Sequence, residues 1–75
     1  MTHMISYPLI CDNDMDFCVE SYNLKNEIAV HFEVPARFET EHYVIKCGRE
    51  YDKFYFDVYF PDKEKALMFK LAFIR

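Results

Sequence analysis

The strongest regularity in the chain is an alternation near its C-terminal end. Phe54, Phe56, Val58 and Phe60 take every second position, separated by Tyr55, Asp57 and Tyr59. Successive side chains of a strand point to opposite faces, so this run predicts a β-strand with one apolar and one mixed face. Residues 42–47 alternate in the same way, with Tyr43, Ile45 and Cys47 sharing a side. Gly48 takes positive φ at little cost and 49–53 is polar, so a hairpin loop is expected between these strands. Ile28, Val30, Phe32 and Val34 alternate too, against Ala29, His31 and Glu33, and Pro35 is placed to stop that strand.

Pro61-Asp62 ends the aromatic strand and opens a helix, with Asp62 as its cap and Glu64 in its first turn. Residues 63–68 are good helix formers, and 66–74 are apolar except for Lys70. Lys63 and Lys70 mark a narrow solvent stripe, so the rest of this helix is expected to be buried; an extended ending over 71–74 is the alternative. Residues 5–11 read as a strand that Pro8 demotes to an edge or a bulge, and 12–14 as a turn. Residues 15–22 alternate well enough for a strand, with Phe17 and Val19 on one face, and a short helix is the other reading. The expected architecture is α+β: an antiparallel β-meander of three to five strands with one C-terminal helix packed on one face. A split β-α-β arrangement is the alternative.

Composition narrows the class. The chain has 75 residues, enough for a single small domain over 1–75, and it is 52% hydrophobic and 19% aromatic, which excludes intrinsic disorder. Nine basic against thirteen acidic residues leave a net charge of −4, the wrong sign for a strongly phosphate-binding module. No apolar run is long enough to span a membrane. Three cysteines, an odd number, fit reduced thiols and a cytoplasmic location. Six tyrosines and eight phenylalanines exceed what one small core consumes, so some aromatic surface is expected outside, favouring a homodimer or another partner.

The candidate chemistry sits on the mixed face of the predicted sheet: Ala29, His31, Glu33, His42, Val44, Lys46, Tyr55, Asp57 and Tyr59. A histidine with an aspartate on a neighbouring strand is raw material for acid–base work, but no nucleophile with a local signature accompanies it. A solvated face with cross-strand polar pairs accounts for the same residues. A metal site would have to draw on Cys11, Cys18, Cys47, His3, His31 and His42, which lack the close ligand pairs of zinc sites. Structural cysteines and no metal or cofactor are therefore expected. Tyr55 and Tyr59 are a natural stacking platform for RNA or single strands, opposed by the charge and the scattered lysines. The acidic run 12–16, with Phe17 after it, reads either as a face for a basic partner or as a solvated turn.

Phe54-x-Phe56, Tyr59-Phe60-Pro61-Asp62 and the run 65–71 together resemble the strand–helix endings of small tailed-bacteriophage proteins. Those endings read aromatic-x-aromatic, a charged turn, then Ala-x-x-Phe-Lys-Leu. The resemblance covers the last third of the chain and carries over no catalytic residue. It implies a small accessory protein, made in an infected cell, that binds a host factor in the host cytoplasm. The expected function is thus a non-enzymatic interaction protein that binds and modulates another protein through His31, Tyr55, Asp57 and Tyr59. Nucleic-acid binding through the same tyrosines is the alternative, and a small hydrolase or metal protein a distant third.

Overall fold

A computed structural model describes residues 2–74. The element order is β1 (His3–Ser6), α1 (Asp14–Phe32), β2 (Val44–Glu50), β3 (Lys53–Phe60) and α2 (Lys63–Phe73). The three strands form one antiparallel sheet in the order β1-β3-β2. Because β1 and β2 both run antiparallel to β3, they are parallel to each other, joined through α1 and split by β3. The expected meander is therefore corrected to the split β-α-β arrangement, completed by a second helix.

The largest correction is α1. The strands expected over 15–22 and 27–34 are one helix of 19 residues. Its buried side chains are Ser21, Leu24, Lys25, Ile28 and Ala29, and half-buried Phe32 extends the stripe by one more turn. That is the spacing of one helical face. Asn13 starts the helix: its side-chain oxygen accepts the Asp16 amide at 2.8 Å, with Asp14 and Asp16 at the positive end of the helix dipole. The acidic run is thus a helix start. Glu33 ends α1 in a left-handed conformation (φ 56°). Its amide donates to the Val30 carbonyl at 3.2 Å, and the Val34 amide donates to the Ala29 carbonyl at 3.0 Å. This is a Schellman closure with glutamate where glycine is usual, and Pro35 follows a helix, not a strand.

At the N-terminal end, the strand expected over 5–11 is confined to His3–Ser6, with the Tyr7 amide still donating to the Phe56 carbonyl at 2.8 Å. The hairpin between β2 and β3 also differs from expectation. Glu50 pairs with Lys53, so the loop is Tyr51-Asp52, with φ of 51° and 64°, while Gly48 lies inside β2. Two positive φ values in a two-residue loop match the twist of the flanking strands. Arg49 anchors this end, donating to Asp52 at 2.8 Å and to Asp14 at 3.2 Å.

The core gathers Leu24 and Ile28 from α1, Tyr43 and Ile45, Phe56, Val58 and Phe60 from β3, and Ala66 and Phe69 from α2. Asp62 caps α2 as expected, accepting the Glu64 amide at 2.9 Å. Only one side of α2 is buried, however. Leu67, Met68 and Leu71 are 50%, 51% and 78% exposed, against the expectation that only a lysine stripe would see solvent. Phe69 and Phe73, on the opposite side of the helix, stack on each other and take the core position.

Candidate functional site

The core takes alternate residues of β3, so Tyr55, Asp57 and Tyr59 share the other face of the sheet. The register sets their neighbours. Tyr59 lies between Met4 and Val44, Asp57 between Ser6 and Lys46, and Tyr55 opposite Gly48. Ser6 Oγ donates to Asp57 Oδ1 at 2.8 Å, which fixes the carboxylate toward β1. Lys46 stands opposite Asp57, yet its ammonium lies 5.3 Å from the centre of the Tyr59 ring, a cation–π arrangement. Tyr55 leans across β2: its hydroxyl is 3.1 Å from the point where a Cβ on Gly48 would stand. Glycine in mid-strand thus gives the tyrosine ring room to cross the neighbouring backbone. Lys46, Glu50, Lys53, Tyr55, Asp57 and Tyr59 border a shallow hollow of about 670 Å³.

Three of the four expected site residues are therefore together, and the fourth is not. His31 lies in the last turn of α1. Its ring meets Phe32 and Phe73 edge-on, with centroids 5.0 and 5.5 Å apart, and so joins the C-terminal ends of the two helices. The structure does not bring it to Asp57, and the acid–base pair considered for the mixed face is not assembled. Ala29 and Glu33 leave the sheet with His31. His42 sits in the connection before β2, where its Nδ1 meets the Lys65 ammonium of α2.

Burial first, then Glu20, Asp16 and Asp12, raises the Cys11 thiol above its ordinary range. Burial, then Cys18, does the same for Cys47. Both are held as thiols and so are poor nucleophiles. Among the described residues, no group of three or more His, Cys, Asp or Glu side chains is gathered around a metal-sized space. Among the described residues, no helix is long and apolar enough to cross a membrane.

Two features escaped sequence reasoning. Lys25 is buried in α1, with its ammonium 4.2 Å from the Tyr22 ring centre and 4.9 Å from that of Phe38. Its long apolar stem is packed while the charge lies against aromatic faces. The spacing of Ser21, Leu24, Lys25 and Ile28 was the available signal, masked because two of the four are polar. Tyr51, 91% exposed at the hairpin tip, is the second. The chain matches no protein-family model, no curated protein and no solved structure.

Proposed function

We propose that this chain works by binding and not by catalysis: a small interaction protein that docks on another protein and modulates it. The contact surface is the open sheet face carrying Tyr55, Asp57 and Tyr59. The observation that carries this reading is two tyrosines, four residues apart on the central strand and both left accessible, Tyr59 between Met4 and Val44 and Tyr55 over Gly48. Tyrosine supplies rigid apolar area with a polar tip, which suits an interface core. Asp57 and Lys46 add opposite charges at its centre and give it orientation. The resemblance of the last third to phage strand–helix endings makes a bacterial host factor, met in the host cytoplasm, the class of partner.

Affinity capture from a bacterial lysate, with and without nuclease, tests this with the parent chain and the Tyr55→Ser/Tyr59→Ser variant. The expected result is one near-stoichiometric protein that survives nuclease and is lost with the variant. Capture undiminished by a folded variant overturns the surface assignment. Lys46 and Lys53 on the tyrosine face favour a second reading, single-stranded RNA stacked on the two rings. That reading requires nuclease-sensitive capture with a steep salt dependence.

A further inference from the structure

Strand β2 has β3 on one side only. Along its other edge the chain covers just the beginning: the Ile45 amide donates to the Phe38 carbonyl, and Val44 bridges to Glu39. Hydrogen-bonding direction alternates along an antiparallel strand, so Cys47 and Arg49, like Ile45, send their backbone groups to this edge. Beyond Ile45 none of the described elements pairs with it. Unpaired edges are templates for another strand.

We propose that the occupant is a second copy of this chain, joined by antiparallel pairing of β2 with the partner's β2 across a two-fold axis at Gly48. Several observations select this register. Cys47 and Arg49 have both their edge-facing groups left to pair, and a two-fold at Gly48 sets Cys47 opposite the partner's Arg49, satisfying both. The same register sets Lys46 opposite the partner's Glu50, twice by symmetry, so the charges complement each other. The glycine on the axis has no side chain to collide with its mate.

Length fits as well. The ladder ends with Lys46 and the partner's Glu50, because Phe38 already holds the position opposite Ile45, and the partner's Tyr51 turns out of the ladder beside it. A hollow of about 460 Å³, lined by Phe38, Ile45, Lys46, Cys47 and Tyr55, lies there to receive it. Tyr51 and Phe38, which are 91% and 42% exposed in one copy, thereby cover each other. The product is a six-stranded sheet in which both open faces are continuous and both Tyr55 rings flank the axis. This goes beyond the functional reading above and stands or falls without it.

Sedimentation equilibrium of the full chain, of Lys46→Glu, of Glu50→Lys and of their equimolar mixture tests the pairing. Four backbone hydrogen bonds and two charge pairs form a small contact, so the parent is expected to dimerise with a dissociation constant in the micromolar range. Each reversal alone sets like charges opposite each other twice and should weaken the dimer by about tenfold or more. The mixture restores both pairs, and a heterodimer of parent-like affinity is expected. Circular dichroism and thermal melting confirm that both variants, altered at exposed positions, stay folded. A parent chain that stays monomeric up to about millimolar concentration overturns the proposal. Single reversals without effect, or a mixture no tighter than its components, overturn the register.

Discussion

One strand supplies two unlike surfaces. Toward the helices, β3 presents Phe56, Val58 and Phe60, all at 0% exposure, with Phe60 ringed by Phe32, Tyr43 and Phe69. Toward the other side it presents Tyr55, Asp57 and Tyr59, whose contacts are a serine hydroxyl, a lysine ammonium and a bare glycine backbone. The inner face holds the domain together because its aromatic rings leave water entirely. The outer face contributes less to folding, since its groups keep water or a polar partner in either state. What it keeps is area that another molecule can bury. The inner face also bears an irregularity: the Tyr43 hydroxyl is buried with no hydrogen-bond partner among the described residues.

Adjacent residues of β3 give the sharpest test of this division. Phe60→Ala should cost about 3–5 kcal/mol, enough to leave a domain of this size largely unfolded. Tyr59→Ala, one residue away on the open face, should cost about 1 kcal/mol or less in urea unfolding. Equal losses would erase the distinction between the faces.

Tyr43→Phe removes the orphan hydroxyl and should stabilise the domain by about 1 kcal/mol, because an unpaired buried polar group carries its full desolvation cost. The same substitution has a pH signature. Burial raises both the Tyr43 phenol and the Cys47 thiol above their ordinary values of 10.0 and 9.0. The folded chain then holds protons that the unfolded chain releases, so the contribution of these two groups is full below their ordinary values and is lost as pH rises through the raised ones. Urea midpoints measured across this range should fall less steeply in Tyr43→Phe, with the cysteine part of the slope remaining.

The smallest expected effect belongs to Gly48→Ala on the outer face. The added methyl meets only the tip of the exposed Tyr55 side chain, which can swing away, so the change should lie within about 0.5 kcal/mol. A loss of several times that size would mean that Tyr55 is locked in place and that the outer face is more rigid than its exposure suggests.

The two faces were unequally legible in advance. The alternation of β3, the Asp62 cap and the grouping of Tyr55, Asp57 and Tyr59 could all be read from neighbouring letters, since each depends on local backbone geometry. The expectation for 27–34 failed because Ile28 and Phe32, two strand positions apart by twos, are also one helical turn apart. Val30 between them is 77% exposed, and Val34 lies past the helix end. With Val19 and Val30 on the outside and Ser21 and Lys25 on the inside, the helical stripe of α1 is only partly a hydrophobic one. His31 was assigned to the sheet face only through that strand, and it left with it.

The sequence by itself determined the α+β class, the aromatic strand with its two faces, and the capped helix that follows it. Each rests on periodicity and capping over a few residues, where chain connectivity enforces the geometry. Tertiary structure alone decided that α1 is a helix, since its stripe becomes favourable only when Leu24 and Ile28 meet Phe56 and Phe60 across the core. It also decided that β3 lies between β1 and β2, that Lys25 is buried between Tyr22 and a phenylalanine from a distant loop, and that Leu67, Met68 and Leu71 face water. These depend on contacts between residues far apart in the chain, and no local pattern encodes which side of an element a remote partner will cover.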